Sequence, residues 1–150
     1  MKNKIYCYSK REIINLIKNN KIDYKIPIIS INNIISDGII DWTVEPLPII
    51  DNVLNLNFQD DSEDFSPDQA KKIIEFVLEH KRSDFLVHCI MGKSRSQAVC
   101  MFILDTWPDD YEYGRKIENP LKTPNYHVLC TLKRVWRLEF EENEFPSSNV

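Results

Sequence analysis

One stretch in the middle of the chain carries residue types that could perform nucleophilic chemistry: Val87-His88-Cys89-Ile90-Met91-Gly92-Lys93-Ser94-Arg95-Ser96. An apolar run over residues 84–87 precedes the Cys, and a second apolar run over 97–104 follows it, which predicts a strand, a tight loop and a helix. In that arrangement the loop amides and the first-turn N–H groups lack partners and can bind an anion. A thiol there is expected to ionise readily, because a helix N-terminus and nearby cations stabilise the thiolate. The planar fork of Arg95 matches two phosphate oxygens. We therefore predict a phosphate-binding loop, called here the Cys loop (residues 89–95), with a nucleophile in its floor.

The full set of residues is far more specific than the cysteine alone. A Cys followed by an Arg six positions later occurs often by chance. A buried structural Cys in a strand-to-helix turn is the ordinary alternative. The additional His88, Gly92 and Ser96 make a chance match rare. With these residues the stretch resembles the His-Cys-x5-Arg-Ser signature of the cysteine-dependent protein phosphatases, and the short chain is most similar to their compact dual-specificity and tyrosine phosphatase-like branch.

That resemblance implies a role for each residue of the stretch. Cys89 would be the nucleophile that forms a phosphocysteine, and Ser96 would hydrogen-bond its thiolate. His88 would orient the loop and the Cys. The residues implied to hold the phosphoryl oxygens, through their amides and the arginine side chain, are Ile90, Met91, Gly92, Lys93, Ser94 and Arg95. Neither a metal nor a cofactor is implied.

A general acid is also needed, because a leaving alkoxide or phenoxide must be protonated. In the resembled family the acid is an Asp on a loop after a strand that precedes the Cys. Asp60 and Asp61 lie 29 and 28 residues before Cys89, in an acidic loop over residues 59–64 that follows the predicted strand 53–58. Aligning the strand ends favours Asp60, the second residue past Phe58, and leaves Asp61 as the second choice. A solvated acidic loop without a catalytic role is the alternative.

Two other acidic positions are given different roles. Asp64 stands near a helix start, where a carboxylate serves the helix dipole. Trp107-Pro108-Asp109 spells the tripeptide that carries the acid in larger tyrosine phosphatases, but there it precedes the Cys and here it follows. We interpret it as a coincidence, with Pro108 ending the helix after the Cys loop.

The remaining pattern predicts an α/β fold. Strands are predicted over 4–8, 24–31, 53–58 and 84–87, with helices starting after Ser9 and Ser66 at capping boxes. Pro27 favours an outer or interrupted strand over 24–31. The strand 53–58, the helix after Ser66 and the strand 84–87 form a βαβ unit, so the two strands are expected to be parallel neighbours. Ligands bind at the carboxyl ends of such strands, where the acidic loop and the Cys loop would meet. The predicted class is a single domain over 1–150, with a small, largely parallel central sheet of four to five strands flanked by helices, as in the cysteine phosphatases.

The other segments are assigned from local signals. Residues 32–48 are predicted to be a loop, in which Trp42 is either an anchor or a substrate contact. Residues 110–119 are predicted to be a short helix and loop, and 126–140 a last helix with Leu138 on its apolar face. Asn125 is either an ordinary helix cap or, by the resemblance, a brace for the Cys loop. The polar tail 141–150 is expected to fray.

Composition narrows the function further. The net charge of −4 argues against a nucleic-acid binder driven by backbone electrostatics. No run approaches the roughly 20 apolar residues of a membrane helix, and the start shows no apolar signal-peptide region. The four cysteines have no metal-ligand spacing. These features predict a cytoplasmic protein in a reducing compartment.

We therefore predict a phosphomonoester hydrolase of the protein tyrosine or dual-specificity type, acting on a phosphorylated protein. Lys93 adds a cation to the loop, so a phosphoinositide phosphatase is an alternative. An RNA 5′-phosphate phosphatase on the same scaffold and a non-catalytic phosphate-binding module are two more.

Overall fold

A computed structural model describes residues 1–23, 25–35, 38–48, 51–60, 63–114 and 123–141 of the chain. The strands are β1 (Asn3–Ser9), β2 (Ile28–Asn32), β3 (Val53–Asn57), β4 (Phe85–Cys89) and β5 (Tyr111–Tyr113). The helices are α1 (Lys10–Lys18), α2 (Pro67–Glu79), α3 (Arg95–Thr106) and α4 (Tyr126–Val135), and α4 continues as a π-helical segment, Trp136–Phe140. Among the described helices none is both long and apolar enough to cross a membrane.

The five strands form one parallel sheet in the order β3-β2-β4-β1-β5, with helices on both faces. This confirms the predicted α/β class and the largely parallel sheet. One face packs against α2, α3 and α4, in a core that includes Val87 and Cys89. The other face packs against α1, in a smaller cluster that includes Ile28 and Leu86. Because side chains alternate along a strand, His88 belongs to the α1 face and Cys89 to the opposite face.

Two helix starts agree with the predicted capping boxes. Ser9 accepts a hydrogen bond from the Glu12 amide, and the Glu12 carboxylate accepts one from the Ser9 amide. Ser66 and Gln69 make the same reciprocal pair at the start of α2. Each box satisfies two N–H groups that a helix start otherwise leaves unpaired, so these short polar motifs fix where α1 and α2 begin.

Two expectations for the sheet were wrong. Strands β3 and β4 are parallel but not neighbours, because β2 lies between them. The β2 strand is therefore not an outer strand, and each of its residues is buried. Pro27 lies one residue before the strand, where its missing N–H interrupts no ladder, and its carbonyl accepts from the Leu86 amide at 3.1 Å.

Two expectations near the C-terminus were also wrong. The segment predicted as a short helix and loop begins instead with β5, which pairs with β1, and residues 115–122 lie outside the described part. Leu138 is 71% exposed rather than part of the apolar face. Leu138 follows Trp136 by two residues, which is roughly half a helical turn, so it lies away from the face on which Trp136 stacks with Phe140. Of the tail predicted to fray, residues 141–150, Glu141 is helical and residues 142–150 are outside the described part.

Candidate active site

The Cys loop leaves the carboxyl end of β4 and enters α3 at Arg95. The Cys89 thiol lies at the floor, where the residue is 1% exposed. Its Sγ is 3.1 Å from Ser96 Oγ and accepts from the Gly92 amide at 3.3 Å. A hydroxyl and an amide therefore lie within hydrogen-bonding distance of the sulfur.

The carbonyl groups of the Cys loop are held from outside the loop. The contacts are His88 Nδ1 to the Cys89 carbonyl at 3.2 Å, Lys10 N to Ile90 at 3.1 Å, Gln97 Nε2 to Gly92 at 3.4 Å, Thr123 Oγ1 to Lys93 at 2.5 Å, and Asn125 N to Ser94 at 3.0 Å. In a trans peptide the N–H points away from the carbonyl of the same unit. Carbonyls turned outward therefore turn the following amides toward the interior of the loop, which is the arrangement that binds anions.

The start of α3 is open in a way that the other helix starts are not. Helices α1, α2 and α4 begin with a side chain that accepts a hydrogen bond from a first-turn amide. Ser94, the residue before α3, makes no such bond. The first-turn amides of α3 thus keep their capacity for an anion, and they carry the positive end of the helix dipole.

Gly92 is required where the loop crosses the end of β1. Its φ is +70°, and a Cβ at this position would lie 2.7 Å from the Ser9 amide nitrogen and 2.8 Å from the Tyr8 carbonyl carbon. Any other residue would meet both backbone strain and backbone atoms that cannot move aside. The glycine in the signature therefore lets the loop pack directly on β1.

Arg95 is bound to the protein through one nitrogen of its guanidinium, and its buried Nε is unpaired. Its Nη1 donates to the Phe58 carbonyl at 2.7 Å and to Asn33 Oδ1 at 2.9 Å, so the side chain is fixed between the ends of β3 and β2. Its Nε is buried and has no hydrogen-bond partner. A buried, unpaired N–H is costly unless a ligand satisfies it. Held in this way, Arg95 presents Nε to an incoming oxygen.

Asp60, the favoured general acid, lies exposed after β3 and is connected to the Cys loop through Asn125. Asn125 Nδ2 donates to Asp60 Oδ1 at 3.0 Å and to the Asp60 carbonyl at 2.7 Å. Asn125 Oδ1 also accepts from the Val128 amide and so caps α4. The side chain of Asn125 is therefore a helix cap that also holds Asp60, whereas its contact with the Cys loop is made by the backbone amide, which donates to the Ser94 carbonyl at 3.0 Å. Asp61, the second choice, lies outside the described residues, and Asp64 accepts from the Gln59 amide within the acidic loop.

His88 supports the loop from the α1 face. It is fully buried, and its pKa is lowered from 6.5 to about 4, chiefly by burial and to a smaller extent by the charges of Lys10 and Arg95, while the hydrogen bond with the Cys89 carbonyl acts in the opposite direction. The imidazole is therefore neutral at neutral pH. A neutral ring has one donor and one acceptor nitrogen, and Nδ1 faces the Cys89 carbonyl while Nε2 faces Ser30 Oγ at 2.6 Å.

Asp109 of the Trp-Pro-Asp tripeptide is far from this site. It lines a surface cleft of about 270 Å³ together with Asn3, which begins β1, and Asp110. The Cys loop lies at the other end of β1, beside Ser9. Since β1 is seven residues long, the two places are separated by roughly 20 Å of strand. This placement agrees with reading the tripeptide as a coincidence.

Several residues in contact with the loop were missed from the sequence. Asn33 holds Arg95, while Lys10, Thr123 and Gln97 hold loop carbonyls. The position of Asn32 and Asn33 at the end of a predicted strand was the available signal, whereas Lys10 looked like an ordinary first-turn lysine. Trp42 lies outside the core. The Arg11 guanidinium lies 4.9 Å above its ring, and both line a cleft of about 310 Å³ along α1.

No protein-family model matches the chain, and no curated protein matches it. Among solved structures, the chain is similar to OH1 from the Orf virus, described as a tyrosine phosphatase that displays distinct structural features and triple substrate specificity. The two share 14% sequence identity, the match covers 90% of this chain and 70% of that one, and the TM-score is 0.43.

Proposed function

We propose that the chain is a cysteine-dependent phosphomonoester hydrolase, with Cys89 as nucleophile, Arg95 and the loop amides as the phosphate site, and Asp60 as general acid. The observation that carries the proposal is the buried, unpaired Nε of Arg95. It stands beside a loop whose carbonyls are turned outward and whose floor is a thiol. A donor set of this kind, around a nucleophile, suits a phosphoryl group.

In the first step, Cys89 Sγ attacks phosphorus in line with the leaving oxygen. The S–P bond forms as the O–P bond breaks, and Asp60 donates its proton to the leaving oxygen. Arg95 and the loop amides neutralise the charge on the equatorial oxygens. Because their positions are fixed by hydrogen bonds before substrate arrives, little reorganisation is needed at the moment of transfer.

In the second step, water attacks the phosphocysteine. Asp60, now a carboxylate, accepts a proton from the water, and the S–P bond breaks to return the thiolate. Ser96 Oγ lies 3.1 Å from Sγ, so its hydroxyl can stabilise the departing sulfur anion. Inorganic phosphate is the product, and Asp60 is again protonated for the next cycle.

We assign the substrate as a phosphorylated protein, of the tyrosine or dual-specificity class. The Lys93 side chain is exposed on the loop and could meet a second phosphate, which is the observation in favour of a phosphoinositide substrate. A phosphopeptide panel and a phosphoinositide panel, run side by side, separate the two. RNA carrying a 5′-phosphate belongs in the same comparison.

The deciding experiment is hydrolysis of p-nitrophenyl phosphate from pH 5 to 8, with EDTA and a reductant. Cys89→Ser should lower kcat by at least about 10³-fold, because a hydroxyl at this position is a far weaker nucleophile. Cys130→Ser is the matched control, since Cys130 is exposed on α4, and it should keep wild-type turnover. Full activity in Cys89→Ser would reject the assignment of the nucleophile. Absence of wild-type turnover on the aryl phosphate and on all three panels, with tungstate still bound, would leave a phosphate-binding module instead.

A further inference from the structure

A buried row of polar residues runs beneath the Cys loop on the α1 face of the sheet. The row consists of Lys10, Asn32, Ser30 and His88, which are between 0% and 2% exposed. A lysine is almost never buried to this degree unless its ammonium is paired. The proposed chemistry takes place on the opposite side of β4, so these groups do not touch the substrate. Any effect of these residues on the Cys loop must therefore pass through the hydrogen bonds that connect them to it.

The contacts form one continuous chain. Lys10 Nζ donates to Asn32 Oδ1 at 2.6 Å and also to the Glu45 carbonyl. Asn32 Nδ2 donates to Ser30 Oγ at 3.3 Å. Ser30 Oγ is 2.6 Å from His88 Nε2, and His88 Nδ1 is 3.2 Å from the Cys89 carbonyl.

The Lys10 ammonium fixes which group donates and which accepts at each hydrogen bond of this row. It can only donate, so Asn32 must turn its oxygen toward Lys10 and its NH₂ toward Ser30. Ser30 Oγ then accepts from Asn32, and its own proton is free to be donated to His88 Nε2. A ring that accepts at Nε2 carries its proton on Nδ1 when neutral, and Nδ1–H is what the Cys89 carbonyl requires.

The other tautomer of His88, with its proton on Nε2, leaves two groups unsatisfied. If Nε2 carried the proton, Ser30 Oγ would accept from both neighbours, and its hydroxyl proton would find no acceptor among the hydrogen bonds of the described residues. The Nδ1 lone pair would meanwhile face a carbonyl lone pair. Both defects would be buried, where unsatisfied polar groups cost most.

We propose that Lys10 is a positioning residue of the Cys loop, whose ammonium sets the tautomer of His88 and so holds the Cys89 carbonyl away from the phosphate site. The charged groups facing Lys10 are Glu45 and Asp41, both from the segment 38–48. Burial lowers the pKa of Lys10, and these two carboxylates oppose that effect. The backbone amide of Lys10 also donates to the Ile90 carbonyl, so one residue supports the loop from its main chain and its side chain.

The first test determines the His88 tautomer directly, by ¹⁵N nuclear magnetic resonance of the substrate-free protein labelled with ¹⁵N-histidine at pH 7. The chain has three histidines, and His80→Gln and His127→Gln identify the signals of His88. We expect a protonated Nδ1 and an unprotonated Nε2. A wild-type His88 protonated on Nε2 overturns the proposal without any further variant.

Two substitutions then test the cause. In Asn32→Asp both side-chain oxygens are acceptors, so Ser30 must donate to Asp and accept from His88, which should move the ring proton to Nε2 while the ion pair with Lys10 preserves the fold. In Lys10→Met the Asn32 amide is free to turn, and both tautomers of His88 should be present.

Two further variants serve as rescue and control. Lys10→Arg should restore the Nδ1–H form. Lys18→Met changes an exposed lysine on the same helix and should leave the tautomer unchanged. An unchanged His88 tautomer in both Asn32→Asp and Lys10→Met would refute the proposal that Lys10 sets the tautomer through these hydrogen bonds.

The consequence for turnover rests on the proposed function. Loss of one correctly oriented hydrogen bond under the loop should lower kcat on p-nitrophenyl phosphate about tenfold, with a smaller change in KM. A reversed tautomer with unchanged kcat would overturn the positioning role, and it would do so in a protein that is an active phosphatase. An inactive wild type would reject the phosphatase proposal while leaving the tautomer result standing.

Discussion

Two loops leave the same edge of the sheet, each between a parallel strand and a helix, yet they are held very differently. In the Cys loop Cys89 and Arg95 are buried, and five of the loop carbonyls accept hydrogen bonds from outside the loop. In the acidic loop Asp60 is exposed, and its carboxylate is held by the side chain of Asn125. Both loops follow a strand that ends at the same edge, so sheet geometry alone does not explain the difference.

The difference corresponds to two chemical tasks. Binding the equatorial oxygens requires donors in fixed directions, because the benefit of a preorganised site is lost if the donors must reorient. Proton transfer requires a carboxyl group that can approach leaving groups of different shape and then approach water. Under the proposed function, these two tasks need a rigid anion site and a more accessible proton donor. The contrast can be tested loop by loop.

The largest effect is expected where the Cys loop is forced away from β1. Gly92→Ala should destabilise the protein by about 4 kcal/mol, combining left-handed strain with the clash against the β1 backbone. Gly38→Ala is a matched control, because Gly38 has a nearly identical φ of +71° and a Cβ added there would meet nothing within 4 Å, and it should cost only about 1 to 2 kcal/mol. Urea unfolding of both variants measures the difference. Equal losses would show that the loop does not depend on close contact with β1.

The second effect concerns the buried support of the Cys loop at acid pH. The pKa of His88 is lowered from 6.5 to about 4, so the unfolded chain binds this proton more tightly than the folded one. The free energy of unfolding is therefore not reduced by His88 above pH 6.5. It falls as the pH drops from 6.5 toward 4, and His88 should account for about 3 kcal/mol of the loss at pH 4. The free energy of unfolding, measured from pH 4 to 7.5, should fall less steeply in His88→Gln than in the wild type. His80→Gln should keep the wild-type slope, and identical slopes in all three proteins would contradict a buried neutral His88.

The smallest effect is expected in the acidic loop. Asp60→Asn should lower kcat on p-nitrophenyl phosphate about 100-fold, because general acid catalysis is lost while phosphate binding remains. KM and the affinity for tungstate should be nearly unchanged, whereas a substitution of Arg95 is expected to weaken both substrate and tungstate binding. Asp64→Asn is the control from the same loop. If Asp60→Asn keeps its turnover and Asp61→Asn loses it, the acid is Asp61.

The sequence predicted the parts of the site that are local in the chain. The capping boxes at Ser9 and Ser66 and the strand-loop-helix around Cys89 each follow from neighbouring residues, and the structure contains them. The order of the strands could not be predicted in the same way, because the insertion of β2 between β3 and β4 depends on which faces pack against which helices.

The partners of the loop were also beyond local patterns. Lys10 and Asn125 are 79 residues before and 36 residues after Cys89, and each reaches the loop only after the sheet has formed. A lysine in the first turn of an amphipathic helix is ordinarily solvated. Its burial here depends on acceptors supplied by Asn32 and Glu45, which no periodicity in α1 reveals.

The position of β1 in the sheet has a consequence for how the chain acquires its site. The β1 strand lies between β4 and β5, and its end supplies the backbone on which Gly92 rests. The next residue, Lys10, supplies the amide that holds the Ile90 carbonyl. During synthesis β1 must wait until residues 85–89 have emerged, and the last carbonyls of the loop wait longer, for Thr123 and Asn125. Such distant pairings form slowly, because the entropy of closing a long loop is lost before the contacts compensate for it. A nascent chain therefore carries Cys89 well before the Cys loop has the hydrogen-bond partners that hold its carbonyls.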